Sequence, residues 1–460
     1  MRAETMASLA VVLAYTALQI VLFAAHDPWL DEGQAWLWAT TISSPIDFLI
    51  IPSEGHPPLW YWLLRLLSFF LDFNQARTIG LAISIANAFL LWRLIGRDAT
   101  ILFVMLASFV LLQFWGYHFR PYNIVFSCIL GALLLDREGK GVAATWLLAL
   151  ACGFHFFSGL LFAFWLVYQR SKGTALLALL APSLLALAFG ASAVLSGLGN
   201  TTIGPSTPDL FVGIVHNLSW IGMIGPLRGP VLAVATLTAI IIAFRREPLI
   251  LGTVLALLLA FSIATAAIYG KAPWHSAFMT MLCFMAVMVV GLKGRRWLLF
   301  VLLLPQVAIG VAGATQRLSK PVWSAPDLYA AIVDDAGADF DPARQLVAWP
   351  DLTGIAIAAK EDITLVSGND GSLLGPINWR VSKPRAIDPA LADRETPYWL
   401  ICGKSCSHIV AYLGDHGFTS ALLAHKVNID NGKFSAYRIE QARYPITYRS
   451  GNFPPPAGPR

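Results

Sequence analysis

The residues best equipped for chemistry fall within one short stretch. The run His26-Asp27-Pro28-Trp29-Leu30-Asp31-Glu32-Gly33-Gln34-Ala35-Trp36 sets adjacent carboxylates among indoles, and Glu54-Gly55-His56-Pro57-Pro58-Leu59-Trp60-Tyr61 follows it. Tryptophans at 29, 36, 38 and 60 have an ordinary explanation, because indoles gather at membrane interfaces. The carboxylates do not: acids held at the lip of a bilayer are costly unless solvated or used. A carboxylate there can accept the proton of a hydroxyl as it attacks a sugar carbon. The same spacing also suits a purely local role, with Asp31 as N-cap of a helix over 32–40 and Glu32 in its first turn.

The elements that must position these residues are membrane helices. Of 460 residues, 57% are hydrophobic and only 13% charged, against about 25% charged in a soluble domain. This composition excludes a disordered chain and argues against an ordinary soluble enzyme. Residues 1–314 carry 17 Lys/Arg and 12 Asp/Glu, whereas the shorter stretch 315–460 carries 15 of each. The chain therefore divides into a transmembrane body, 1–314, and a water-soluble tail, 315–460. The net charge of +5 is modest, and its basic excess is explained by membrane topology rather than by nucleic acid. Cys128, Cys152 and Cys283 lie in apolar segments and read as packing residues.

A hydrocarbon core about 30 Å thick takes roughly 20 apolar residues per helix. Clear candidates are 6–25, 78–95, 99–116, 174–195, 229–244, 249–268, 276–292 and 297–314. Basic clusters at Arg93/Arg97, Arg137/Lys140, Arg170/Lys172, Arg245/Arg246 and Lys293/Arg295/Arg296 are assigned to the cytoplasmic side together with Arg2. An even number of spans must then separate successive clusters. Parity makes 121–135 a span and 141–169 two short helices with a tip near His155. It also makes 57–71 a surface segment beginning at Pro57-Pro58. The expected architecture is mainly α, a bundle of about eleven spans with the N-terminus inside, a first exterior loop over 26–76 and the tail outside. Five basic residues fall outside: Arg65, Arg77, Arg120, Arg228 and Lys271.

The tail shows strand-like runs at 345–349, 363–366, 398–402, 420–426 and 434–439, and a helix-like run at 405–414 stopped by Gly417. It is expected to be a small exterior α/β domain. Cys402 and Cys406 either bridge a strand-to-helix turn in an oxidising space or remain free. Residues 451–460, rich in Pro and Gly, read as a frayed end.

At this point the sequence resembles a family. Asp31-Glu32 after the first span, followed by His56-Pro57-Pro58-Leu59, is similar to the GT-C fold glycosyltransferases of family 39 type. The nearest group is the bacterial relatives of protein O-mannosyltransferases and of the lipid A aminoarabinose transferase. The likeness continues in order at Tyr117-His118-Phe119-Arg120-Pro121-Tyr122 and at Phe154-His155-Phe156-Phe157, covering 1–170. The resemblance implies an enzyme that takes a sugar from a polyprenyl phosphate donor and passes it to an exterior lipid, glycan or protein acceptor. It implies a bacterial cytoplasmic membrane, with the active site and tail on the periplasmic face. Asp31 becomes the general base, with Glu32 supporting it or binding acceptor.

A departing lipid phosphate needs positive charge or donors where negative charge develops. Arg120 and Lys271 are candidates by their exterior position, although the family often has Arg-Tyr where this chain reads Tyr-Gly-Lys near 271. His155 is a further donor to the phosphate. His56, Tyr61, Tyr122 and Arg228 are candidate substrate contacts, Arg228 at the end of a loop over 197–229 that could close as a lid. No cofactor is required, since an acid, a base and Arg/Lys suffice; a divalent cation near Asp31 is the one metal option. No phosphate-binding glycine loop and no structural-metal spacing occurs in the sequence. The alternative from another class is a transporter or lipid flippase, although no inverted repeat is visible. A scaffold with a degenerate site is a third.

Overall fold

The structure is a computed structural model, and it describes residues 2–200, 210–219, 221, 229–269, 275–320, 322–323, 325–379, 391, 394–403, 406–428 and 432–442. Arg228, Lys271, the middle of the 197–229 loop and residues 451–460 lie outside the described residues. Contacts group the chain into two units. The first is Met1–His26, Gln34–Pro321 and Pro376–Lys383; the second is Asp27–Gly33, Val322–Gly375 and Pro384–Arg460.

Helices dominate up to residue 319. They are α1 (Arg2–Ala24), α2 (Leu30–Thr41), α3 (Pro58–Ser68), α4 (Phe73–Ile95), α5 (Ala99–Leu106), α6 (Tyr122–Arg137) and α7 (Gly141–Phe154). There follow α8 (Ser158–Ser171), α9 (Leu176–Gly197), α10 (Leu210–Ser219), α11 (Pro230–Phe244), α12 (Pro248–Tyr269), α13 (Ser276–Val290) and α14 (Arg296–Ser319). Among the described residues, 5 helices, α1, α4, α9, α12 and α14, are long and apolar enough to cross a membrane. The tip near His155 is present as the break between α7 and α8.

α3 has 11 residues, about 16 Å at 1.5 Å per residue, well short of the hydrocarbon core. Its Arg65 donates to the carbonyl of Thr40, 3.1 Å away, at the last turn of α2. Arg65 therefore satisfies a helix end. Arg77 behaves similarly: its guanidinium donates to the His26 carbonyl at 2.7 Å and packs over Phe23 and Phe73. Two of the five cations expected outside thus have structural work. Asp72 and Gln75 start α4 with reciprocal side-chain caps.

The charged helix ends pair with one another. Arg93 meets Glu138, Lys172 meets Asp136 at 2.8 Å, Arg295 meets Glu247 and Arg296 meets Asp98, the last two at 3.2 Å. These contacts bring the end of α4, the end of α6 and the end of α8 together, and join the starts of α5, α12 and α14. The basic clusters at these helix ends therefore gather at one end of the bundle, as their shared assignment requires. The start of α6, the turn between α7 and α8 and the start of α13 lie at the opposite end of those helices.

One expectation needs correction. The stretch 99–116 is not one helix: α5 stops at Leu106, and a π turn spans Val110–Phe114. Side chains of α1 explain how the wider turn is tolerated. Tyr15 donates to the carbonyl of Leu111 at 2.9 Å, and Gln19 donates to that of Leu112 at 3.1 Å, satisfying groups that a regular ladder would use. A Cβ on Gly116 would lie 2.6 Å from the Gln19 amide oxygen. The wide turn delivers Tyr117, His118, Phe119 and Arg120 just before α6.

The second unit carries a five-stranded sheet of order β2-β1-β3-β5-β4. Its strands are β1 (Leu346–Trp349), β2 (Val366–Ser367), β3 (Tyr398–Gly403), β4 (Phe418–Val427) and β5 (Lys433–Gln441). β1 pairs in parallel with β2 and β3, while β5 runs antiparallel to β3 and β4. Helices α15 (Ala325–Ala336), α16 (Pro342–Gln345), α17 (Ile355–Glu361) and α18 (Ser407–Asp415) complete it. The core includes Val347, Val366, Tyr398, Leu400, Ile409, Leu413 and Ile439, apolar positions that alternate along the strands. Cys402 and Cys406 are bonded, with Cα atoms 5.8 Å apart, closing the turn from β3 into α18.

Residues Asp27–Gly33 belong to this unit, and two of their contacts show how. Asp27 Oδ1 lies 3.0 Å from Lys360 Nζ on α17. A Cβ on Gly33 would meet the Ile355 carbonyl at 2.9 Å and the Ala356 Cα at 3.1 Å, so only glycine lets the first turn of α2 reach α17 this closely.

Candidate functional site

The acidic pair sits in the first turn of α2. Trp29 is the last residue before the helix, and the Glu32 carboxylate accepts from its backbone N–H at 2.7 Å. Glu32 is fully buried and closes the helix start from the third helical position. This corrects the sequence expectation: Asp31 is not the N-cap but lies inside the first turn, and Glu32 holds the cap. Asp31 is partly exposed. Asp27 is held by Lys360.

The first unit gathers a second set of groups around Glu54. Its Oε1 accepts from Gln34 Nε2 and from Trp38 Nε1, each at 2.7 Å, and its Oε2 accepts from the Tyr61 hydroxyl at 3.1 Å. Gln34 is itself pinned, exchanging two hydrogen bonds of 2.9 Å with the backbone of Ile377. Ser53 donates to Asn378 and accepts from the Trp379 backbone. A short return of the chain at 376–379 therefore braces the first loop. Burial would raise the Glu54 carboxyl, but hydrogen bonds from His56, Gln34 and Trp38, with the charge on His56, hold it below the usual carboxylate range.

His56 is attached to this carboxylate. Its Nδ1 donates to the Glu54 carbonyl at 3.0 Å and lies 3.7 Å from the Glu54 Oε2. The local backbone is built for it. Ser53 and Gly55 have φ of 69° and 70°, and Gly55 lies against Gly197 at the end of α9. Gly153, two residues before His155, leaves room for Leu59 of α3, whose Cδ1 would lie 2.4 Å from an added Cβ. α3 and α7 therefore approach closely. The His56 ring meets that of His155 edge-on, centroids 5.9 Å apart.

His155 is buried in the turn between α7 and α8. Its Nδ1 accepts from the Phe157 N–H at 3.2 Å, so the proton of the neutral ring is on Nε2, a donor. Its neighbours are Tyr122 at 4.9 Å, Phe278 at 4.8 Å and His275 at 6.4 Å between centroids. Arg120 lies over Tyr122, its guanidinium carbon 5.7 Å from the ring centre. Burial, then His56, His275 and Arg120, keep His155 well below the ordinary imidazole range. Burial, with His56 and Arg120, pushes His275 down to about 3. Both are neutral at pH 7. The cluster is thus one fixed cation, two neutral imidazoles and one histidine paired with an anion.

The structure brings His56, Arg120, Tyr122 and His155 together. Tyr61 is buried, and its hydroxyl is engaged by Glu54. Three participants were missed from sequence. Glu54 stood in the quoted motif, but nothing local reveals that four groups converge on it. His275 follows a span boundary with no motif. Arg317 was counted with the tail, yet α14 runs to Ser319 and Arg317 donates to the Tyr117 hydroxyl at 2.6 Å and the His118 Nε2 at 2.7 Å, clamping the stretch before Arg120.

No family model matches the chain, and no curated protein matches it. Among solved structures, it is similar to the crystal structure of ArnT from Cupriavidus metallidurans bound to undecaprenyl phosphate, with TM-score 0.50 and 14% identity. The match covers 92% of this chain and 97% of that one. The chain therefore has a GT-C-like membrane fold, as the resemblance of its first 170 residues implied.

Proposed function

We propose that the protein is a membrane glycosyltransferase that moves a sugar from a polyprenyl phosphate to an acceptor hydroxyl outside the cytoplasm. The observation that carries this is the cluster at the starts of α6 and α13 and the end of α7. Arg120, the Nε2–H of His155 and the neighbouring His275 and Tyr122 form a seat for one phosphate. A guanidinium neutralises it, and the neutral imidazoles do not compete for the charge. The seat is at the bundle end opposite the paired basic clusters, which the charge rule puts in the cytoplasm. The Cys402–Cys406 bridge agrees with an oxidising exterior for the tail. The carrier found in the similar fold supports a polyprenyl phosphate here as well.

In the proposed reaction Asp31 takes the acceptor hydroxyl proton. The hydroxyl oxygen attacks the anomeric carbon, and the bond from that carbon to the phosphate oxygen breaks with its electron pair leaving on the phosphate. Attack from the opposite side gives inversion. Glu32 supports Asp31 by fixing the start of α2. A divalent cation near Asp31 is the one metal option of this reading; activity in excess EDTA tests for it.

Incubation of the purified protein with a panel of polyprenyl phosphate monosaccharides, with mass spectrometry of released polyprenyl phosphate, tests the reading. Release that disappears in Asp31→Asn supports it. Binding without release, coupled to carrier movement across reconstituted vesicles, would favour the flippase alternative.

A further inference from the structure

Three histidines share the phosphate seat, and their surroundings separate them. His155 and His275 are buried beside Arg120, and no carboxylate is among the groups that shift them. His56 is the one with an anion at hand: Glu54 lies 3.7 Å from its Nδ1. Its side chain is 31% exposed, whereas that of Glu54 is only 6% exposed. The hydrogen bond from Nδ1 to the Glu54 carbonyl orients the ring. Nε2 on the far side makes no hydrogen bond to a described residue. A carboxylate that orients an imidazole and stabilises its charged form, leaving the second nitrogen open, is the arrangement of a proton-transfer group.

We propose that His56 is the general acid of the transfer, delivering its Nε2 proton to the lipid phosphate as the sugar leaves, with Glu54 as its positioning residue. The proposal rests on the glycosyltransferase reading above. The titratable and charged groups facing His56 among the described residues are the Glu54 carboxylate on its own loop, the neutral His155 from the α7–α8 turn and the neutral His275 before α13, with the Arg120 cation beyond them. The balance is simple. The acceptor proton goes to Asp31, and the pair of the broken carbon–oxygen bond goes to the phosphate. The Nε2 proton neutralises that oxygen, giving the lipid hydrogen phosphate and a neutral imidazole. Solvent returns the proton to His56 and removes the one on Asp31. Tyr61, Trp38 and Gln34 keep Glu54 from turning away, so the ring keeps its aim through the cycle.

The test is the pH dependence of turnover at saturating donor, with full-length protein in detergent and the donor found active in the panel. A general acid produces a fall at high pH. His56→Gln is expected to lose that alkaline limb and to lower kcat by roughly 100-fold, with donor KM changed far less. Glu54→Gln is expected to lower kcat as well, with donor KM changed far less, since the ring loses the carboxylate beside it. A merely structural pair would lower expression or raise KM without a selective loss of kcat. Should His56→Gln fail to fold, the split of kcat from KM in Glu54→Gln decides alone. Wild-type transfer with an alkaline limb that persists in His56→Gln, or with kcat unchanged in Glu54→Gln, overturns the role of His56 and leaves the transferase standing. Absence of transfer by wild type with every donor overturns the transferase reading itself.

Discussion

Lys360 on α17 reaches Asp27 of the first loop, Nζ to Oδ1 3.0 Å, across more than 300 positions of sequence. Asp27 also shares a side-chain hydrogen bond with Asp327 on α15, and Lys426 lies 3.9 Å from Asp327. Burial, with the hydrogen bond and negative charge of Asp27, pushes the Asp327 carboxyl up to about 6 from 3.8.

The sign of the resulting pH effect follows. The folded unit binds this proton more tightly than the unfolded chain, so the contribution is largest below about pH 4. It is lost as pH rises through about 6. Asp327→Asn keeps a donor toward Asp27 and removes the repulsion. Its melting temperature is expected to exceed that of wild type at pH 7.5, with the difference shrinking toward pH 4. Thermal scans at the two pH values check it; a variant less stable at pH 7.5 would contradict the shared proton.

The two acids of the first loop should separate by phenotype. Asp31→Asn is expected to reduce transfer by roughly 100-fold or more with unchanged melting. Glu32→Ala removes a buried cap and is expected to cost about 1 kcal/mol or more of stability, with lower expression. Paired measurements of turnover and melting distinguish them, and equal losses in both would mean that Asp31 too is structural.

Arg120 is expected to act on the donor. Arg120→Ala should weaken polyprenyl phosphate binding by roughly 10- to 100-fold, the range for a hydrogen bond to a charged group, while acceptor KM changes little. Product-inhibition constants measure this directly, and an unchanged constant would move the phosphate elsewhere.

Gly153 is expected to be intolerant of even one methyl group. Gly153→Ala drives a Cβ into Leu59 and into Phe189, 2.7 Å away, and should cost about 1–3 kcal/mol. Because Leu59 follows His56 by three residues, turnover should fall further than stability alone explains. Leu59→Ala in the same chain should recover part of the loss, which a double-mutant comparison of melting and rate would show.

The amino-acid sequence by itself marked the run of apolar helices up to residue 319 and the mixture of strands and helices after it. It also marked the short helix α3, the break between α7 and α8 at His155 and four of the five strands of the tail, β1, β3, β4 and β5. These follow from the length of apolar runs, the placement of basic clusters and local turn residues, none of which depends on distant partners. The π turn at Val110–Phe114, the buried anion at Glu54, the opposite tautomers of His56 and His155 and the clamp from Arg317 were decided only by the tertiary structure. Each is a polar group satisfied by a residue or a helix brought in from elsewhere in the fold. Gln34 meets Ile377 343 positions away, and Arg317 meets Tyr117 200 positions away. Burial makes such partners obligatory, but a linear pattern carries no record of which group will arrive. The same cause separates Asp31 from Glu32. Adjacent and chemically alike in the sequence, they differ because the start of α2 buries one as its own cap and leaves the other partly exposed.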